Sequence, residues 1–320
     1  MASKPQLVTV FGGSGFVGRH VVGVLARKGY QVRVACRRPD LAFHLQPLGN
    51  VGQIALVQAN LRYRWSVDRA LEGADHAVNL VAILHETGRQ KFASVQEFGA
   101  RAVAEAARAA GASLTHVSAI GADAASPSAY ARTKAAAELA VLETVKSAII
   151  LRPSLVFGPE DRFFNRFANM ARFTPVLPLI GADTLFQPVF VGDVAQAVGV
   201  SVAGGATPGK TYELGGPDQR SFRAWMELML EVIGRKRVLA NIPFWMAKIQ
   251  GSLLGMLPNP LLTADQVELL KIDNVVSKQA VKERRTLEGL GIAPSAAEAI
   301  LPSYLSRFRV AGQFTRNASA

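Results

Sequence analysis

The stretch Val8-Thr-Val-Phe-Gly-Gly-Ser-Gly-Phe-Val-Gly18 decides how this chain reads. Leu7–Phe11 is a short, mostly apolar run of strand length. Three glycines follow in the spacing G-x-x-G-x-x-G, at Gly12, Gly15 and Gly18. From Phe16 to Lys28 apolar residues recur at helical spacing (Val17, Val21, Val22, Leu25), and Gly29 marks the helix end. A strand, a glycine turn and a helix in that order bring the free N–H groups of the helix start up to whatever the turn admits. Those groups and the helix dipole favour an anion, phosphate above all. Gly12 allows the tight turn, Gly15 lets a pyrophosphate approach the backbone, and Gly18 lets the helix pack close to the strand. The flanking strand and helix distinguish this from an ordinary glycine turn and point to a dinucleotide-binding loop.

Working outward, strand and helix patterns alternate. Strands are expected at Gln31–Cys36, Ile54–Gln58, Ala77–Val81, Leu114–Ser118 and Ala148–Arg152. Helices are expected from Val67, over Ala100–Ala110 and over Ala129–Leu142. That rhythm predicts an α/β Rossmann fold, a doubly wound parallel sheet covered by helices on both faces. After Arg152 prolines at 153, 159, 175, 178 and 188 break the rhythm. A short strand at Val189–Val191 leads to Asp193, placed to cap the next helix. Ser221 is placed to cap a helix carrying Phe222, Trp225, Met226, Met229, Leu230 and Ile233 on one face. Thr263 and Gln266 have capping-box spacing for a helix over 264–271. The expected division is a nucleotide-binding domain over 1–158 with a returning segment near 185–205. A smaller, mixed, mainly helical C-terminal domain takes 159–184 and 206–320.

Composition bounds the function. Hydrophobic residues make up 49% of the 320 and charged residues 19%, enough for a sizeable core. No uncharged apolar run is long enough to span a bilayer. Met1–Gln6 runs straight into the first strand, so no signal peptide or long transit peptide is expected. One cysteine, Cys36, excludes an internal disulfide, and five scattered histidines (20, 44, 76, 85, 116) show no metal spacing. A cytoplasmic, bacterial protein is expected. The net charge of +12 calls for an anionic partner or surface. The densest basic run, Lys282-Glu283-Arg284-Arg285 after Lys278, is short and broken by an acid. No zinc-finger spacing or aromatic RNA-binding motif accompanies it, so nucleic acid is not expected as a partner.

The end of the second strand bears on the cofactor. Where an NAD-binding chain usually places an acid for the ribose 2′-hydroxyl, this one has Cys36-Arg37-Arg38. Arginines there suit a 2′-phosphate, so NADP(H) is expected over NAD(H).

Further motifs carry a family resemblance. Gly-Gly-Ser-Gly-Phe-Val-Gly18, Asn60-Leu61, Asn79-Leu-Val-Ala82, Tyr130-Ala-Arg-Thr-Lys134 and Arg152-Pro-Ser-Leu-Val-Phe-Gly158 resemble the extended and atypical short-chain dehydrogenase/reductases. Gly158-Pro-Glu-Asp-Arg-Phe-Phe-Asn165, Phe167–Phe173, Gln187–Asp193 and Leu262–Val267 narrow this to one subgroup. That subgroup contains the accessory subunit of respiratory complex I (NADH:ubiquinone oxidoreductase) and bacterial relatives. The resemblance implies pyrophosphate contacts from Gly12, Ser14, Gly15, Phe16 and Val17, and a 2′-phosphate contact from Arg37 with Arg38 beside it. It implies adenine flanked by Asn60 and Leu61, the adenosine ribose along Val81, the nicotinamide end walled by Pro153, and the nicotinamide ribose met by Tyr130 and Lys134. Glu86 and Arg89 could line the same cleft.

The family's reaction needs Tyr as proton donor or acceptor, Lys to lower its pKa, and Ser or Thr to hold the substrate oxygen. Tyr130 and Lys134 stand one helical turn apart. In the third place the chain reads Ser118-Ala119, where the second residue usually carries the hydroxyl; Ser118 is a doubtful substitute, and Ser126 or Ser128 are alternatives. Two readings follow. One is a non-catalytic NADP(H)-binding accessory or assembly subunit beside the quinone module of complex I. The other is an active reductase, epimerase or dehydratase on a sugar-nucleotide, isoprenoid or quinone-like substrate. The apolar, aromatic run over 242–258 is read either as an interfacial element on a partner or an anionic membrane, on the cytoplasmic face of the inner membrane, or as core of the second domain. Oligomeric state is not set by the sequence.

Overall fold

The computed structural model describes residues 5–254 and 262–310. The first strand, β1 (Leu7–Phe11), runs into the glycine turn and α1 (Phe16–Arg27). Then come β2 (Gln31–Cys36), β3 (Ile54–Gln58), α2 (Arg64–Leu71), β4 (His76–Asn79), α3 (Phe98–Ala110), β5 (Ser113–Val117), α4 (Ala129–Thr144) and β6 (Ile149–Pro153). Beyond these lie β7 (Val156–Phe157), α5 (Phe164–Phe173), β8 (Val176–Ile180), β9 (Leu185–Phe186), β10 (Val189–Phe190), α6 (Val191–Val202) and β11 (Thr211–Leu214). The chain continues through β12 (Arg220–Ser221), α7 (Phe222–Val232), β13 (Val238–Ile242), α8 (Phe244–Leu254), α9 (Ala264–Leu269), α10 (Lys278–Lys282) and α11 (Ala297–Leu305).

Seven strands make one all-parallel sheet in the order β11-β6-β5-β4-β1-β2-β3. The order reverses between β1 and β4, the switch point at which open α/β sheets leave a crevice at the strands' C-terminal ends. One face is filled by small side chains of α3 and α4: Ala100, Ala104, Ala107, Ala137 and Val141 are buried with Leu114 and Ile150. Alanine here lets helices lie close to the sheet.

The chain divides into two compact units. The first comprises residues 1–153, 192–214 and 277–293, and the second 154–191, 215–276 and 294–320. Sequence patterning placed the returning segment near 185–205 and kept 277–293 with the C-terminal domain. It missed β11, a four-residue strand that pairs with β6 and completes the sheet edge. The second unit is built on an aromatic core of Phe157, Phe164, Phe186, Phe222 and Trp225. Trp225 Nε1 donates to the Phe186 carbonyl at 3.0 Å. Buried Asp161 receives the N–H groups of Gly158, Phe163 and Asn165 and the Tyr304 hydroxyl at 2.6 Å, pinning the loop over 158–165.

Local signals fared well where capping chemistry is explicit. Ser221 caps α7, and Thr263 and Gln266 form the full capping box of α9. Two expectations are corrected. Asp193 is not at the N-cap position: α6 starts at Val191, which puts the buried carboxylate inside the first turn, where the helix dipole favours it. The strand expected over Ala77–Val81 stops at Asn79, whose side chain accepts the Val81 N–H at 3.1 Å and turns the chain.

The glycine turn is sterically closed. A Cβ on Gly18 would lie 2.3 Å from the Gly12 carbonyl oxygen and 2.6 Å from the Gly13 backbone. Both are rigid main chain, so Gly18→Ala must push α1 off the sheet. We predict a loss of about 2–3 kcal/mol or more in urea denaturation; an unchanged midpoint would contradict this packing.

Candidate dinucleotide site

The site residues named from the sequence all fall in the first unit, and the loop residues gather at the C-terminal ends of its strands. Gly12 leaves β1 with φ +79°, a conformation glycine adopts without strain, and its N–H donates to Ala35. Gly15 is the N-cap of α1, exposed, with its N–H on the Gly12 carbonyl at 3.0 Å. No side chain caps α1 and no acid sits in its first turn, so Phe16 and Val17 open a helix whose end remains available to an anion. Ser14 lies over Cys36; burial pushes that thiol up and the Ser14 hydroxyl partly opposes it. A Cβ on Gly12 would stand 3.2 Å from Val81 Cγ2, so Val81 borders the turn across the switch point.

Arg37 and Arg38 are both exposed just past β2. Arg37 donates to Gln90 Oε1 at 2.8 Å, while Arg38 is turned onto Asp40. Gln90 was not found from the sequence; it lies in a loop 53 residues on. Asn60 is half-buried, its backbone N–H on Ser66 and its side chain on the Arg62 N–H. Leu61 is buried in the α2–α3 core, so it can offer a ligand backbone only. Glu86 is engaged by the Phe92 N–H and Lys91, and Arg89 contributes its carbonyl to Arg62.

On α4, Tyr130 is half-buried with its ring against the edge of Phe92. Lys134 is buried, its ammonium 3.3 Å from the Val117 carbonyl and 6.0 Å from the Tyr130 ring centre. Burial pulls its pKa down to about 8, with Glu138 opposing. Glu138 is itself held by Arg152. Pro153 ends β6 and receives the Ile120 N–H, which places the segment after β5.

The hydroxyl position is the informative one. Ala119 stands there, half-buried. The Ser118 hydroxyl is buried and, among the described residues, has no hydrogen-bond partner. It shares a strand face with His116, whose Nδ1 meets Asn79 Nδ2 at 3.2 Å. Ser128 caps α4 by accepting from Ala131, and Ser126 accepts from Ser128. His116 is buried, which drives its pKa down to about 3, with Lys134 adding to the effect. Gln96, missed in the sequence, sits in a π-helical turn over 93–97 ahead of α3 and donates to the Ile83 carbonyl.

A glycine turn off β1, an uncapped helix start and a Tyr-x-x-x-Lys helix beside β5 define one kind of chain, and comparison agrees. Residues 8–215 match the model of the NAD dependent epimerase/dehydratase family. The chain belongs to this family. Its fold is therefore an NAD(P)-binding one. The chain is 34% identical over 320 residues to NADH dehydrogenase [ubiquinone] 1 alpha subcomplex subunit 9, mitochondrial, of Arabidopsis thaliana, covering 96% of this chain and 79% of that protein. It is 32% identical over 240 residues to a ceramide reductase of Caulobacter vibrioides, covering 74% of each. Among solved structures, the NADPH-dependent quinone oxidoreductase QOR2 of Escherichia coli, complexed with NADPH, superposes with TM-score 0.73 over 94% of this chain and 99% of its own; at 19% identity this shows the fold alone.

The Lys134 environment gives a pH signature. Its folded pKa of about 8 lies below the ordinary 10.5, so between those values the unfolded chain holds the extra proton. Stability contributed by this group therefore rises with pH through that window, by up to about 1.4 kcal/mol per unit. Denaturation series from pH 8 to 10 should show this rise in the wild type and lose it in Lys134→Met; equal slopes would contradict the assignment.

Proposed function

We propose that this chain holds NADP(H) as a non-catalytic accessory or assembly subunit of NADH:ubiquinone oxidoreductase. The observation that carries the non-catalytic half is the missing hydroxyl: Ala119 occupies its place, Ser118 is buried, and Ser126 and Ser128 are committed to the start of α4. Losing one such donor typically costs a factor of about 100 to 1000 in rate. Tyr130 and Lys134 keep a use without turnover, since hydroxyl and ammonium both suit a nicotinamide ribose. The accessory half rests on the relatives named as subunits of that complex over nearly the whole chain.

The 2′-phosphate preference is supported by two exposed arginines and no acid at the end of β2. When bound, NADP(H) would supply hydride chemistry. The residues here would hold its pyrophosphate at Gly12–Val17, its 2′-phosphate at Arg37 with Arg38 adjacent, its adenine end at Asn60, the Leu61 backbone and Val81, and its nicotinamide ribose at Tyr130, Lys134 and Pro153.

A docked subunit needs a surface, and the second unit offers one. In the β8–β13 pair, Val176 faces Val238, Pro178 faces Ala240 and Ile180 faces Ile242, and these six share the outward side. Val176 and Val238 are exposed, as is Phe173 at the end of α5. Helix α8 packs on α9 closely enough that a Cβ on Gly251 would meet the Ala264 nitrogen at 2.9 Å, yet Trp245 and Ile249 remain exposed one turn apart. Up to Gly251 the run over 242–258 mixes buried Ala247 and Gly251 with exposed Trp245 and Ile249; the side chains of 252–254 and residues 255–258 lie outside what is described. No helix among the described residues is long and apolar enough to cross a membrane. Seating at the cytoplasmic face of a membrane, on quinone-module subunits and anionic headgroups, fits this surface and the net charge.

The second reading, an active reductase, is favoured by one feature: Lys134, drawn down to about 8, is suitably placed to tune Tyr130, and the ceramide reductase relative shows that chains of similar sequence can be reductases.

Two experiments separate these. Arg37→Ala should weaken NADPH binding about 10- to 100-fold in fluorescence titration and leave NADH unchanged; an equal loss for both would refute the 2′-phosphate role. Wild-type protein with NADPH and a panel of ketones, quinones and acyl-ceramide-like carbonyls should show no substrate-dependent loss of absorbance. Turnover that disappears in Tyr130→Phe would overturn the non-catalytic reading.

A further inference from the structure

The basic run after Lys278 has no role in the nucleotide site, and the fold gives it a definite place. The return segment over 277–293 lies along the edge strand β11: the Glu213 N–H donates to the Arg285 carbonyl at 2.9 Å, and the Arg285 guanidinium donates to the Thr211 carbonyl. Between this segment and the start of β11 opens a cleft of about 350 Å³, lined by Thr207, Lys210, Tyr212, Glu283, Arg284, Arg285 and Gly289. It lies beside the N-terminal end of β11, whereas the glycine loop lies at the C-terminal end of β1 in the same parallel sheet.

We propose that this cleft is a second anion site, distinct from the nucleotide site, for a phosphate group of two or more negative charges. Four charged side chains line it, three positive and one negative. Arg285 is pinned by Glu283 at 2.7 Å, and Gln279 also donates to Glu283, so that carboxylate is already engaged. Among the described residues the Arg284 guanidinium has no hydrogen-bond or ion-pair partner, and the Lys210 ammonium makes no hydrogen bond, its charge acting only on Glu283 across the cleft. Tyr212 is buried and its hydroxyl oxygen accepts the Thr207 N–H at 2.9 Å, which leaves its own proton to donate. Arg284 is also the one non-glycine among the described residues with a positive φ, +53°. That conformation is unfavourable for a long side chain, and Gly289 closes over it: a Cβ there would stand 1.7 Å from the Arg284 carbonyl. The turn thus carries an arginine where glycine would be more comfortable, and strain of this kind collects at ligand sites. A phosphate of a lipid headgroup and one of a soluble molecule would meet the same donors.

The test uses the full chain with saturating NADPH, so that the glycine loop is occupied. Pyrophosphate is titrated calorimetrically, and in parallel the protein is sedimented with phosphatidylcholine vesicles with and without phosphatidic acid. Variants are Lys210→Gln, at an exposed side chain, and Arg284→Gly, which removes the charge and relieves the backbone, so loss of folding does not confound it. Saturable binding of either probe, weakened about tenfold or more by each variant with NADPH affinity unchanged, supports the site. Pyrophosphate without vesicles assigns a soluble ligand; vesicles without pyrophosphate assign a headgroup. No saturable binding of either probe, or binding indifferent to both substitutions, overturns it. NADPH affinity is read separately, so failure here leaves the nucleotide reading untouched.

Discussion

The fold turns on one crowded contact. Gly18 brings the first turn of α1 against the backbone of Gly12 and Gly13, with no room for a side chain on the glycine. That approach sets the angle at which α1 leaves β1, and so aims its uncapped start at the switch point between β1 and β4. Val81 closes the other side of the crevice because Asn79 folds back on the Val81 N–H and stops β4 early. Everything assigned to the nucleotide depends on this arrangement of main chain, more than on any charged group.

The second constraint is the buried polar row on the α4 side of the sheet. Asn79, His116, Ser118, Lys134 and Glu138 occupy interior positions that a purely structural sheet would fill with aliphatics, and half-buried Arg152 closes the row on Glu138. Buried polar groups are costly unless paired, and several here are only partly so. Lys134 is the clearest case: it is buried with a carbonyl for company and its charged form is disfavoured. Such a row is consistent with inheritance from a catalytic framework. Beside it stands Ala119, which brings no hydroxyl, while Tyr130 and Lys134 are the groups proposed above to meet a ribose.

How much could be read from residues alone follows from the range of the forces involved. Period and capping are local, and so β1, the glycine loop, α1 and the α7 and α9 caps were found where they lie. The Tyr-x-x-x-Lys pair and the Arg37-Arg38 step were equally visible, because each is a short spacing along the chain. Long-range pairing was not visible. β11 is four residues long, and its partner β6 precedes it by about sixty residues. The return of 277–293 to the first unit depends on contacts with β11 that no pattern announces. Gln90 and Phe92 meet Arg37 and Tyr130 from a loop and from the residue before a π-helical turn, neither of which has a strong periodic signal. The Asp193 error came from judging a helix start by its acid, when the helix begins two residues earlier.

The central claim is that this chain is an accessory subunit that holds a nucleotide. The most direct measurement is affinity purification of the tagged chain from mildly solubilised native membranes, with mass spectrometry of the co-purifying proteins and of the extracted nucleotide. The account predicts subunits of the quinone-reducing part of NADH:ubiquinone oxidoreductase together with NADPH. A protein recovered without those subunits would contradict it.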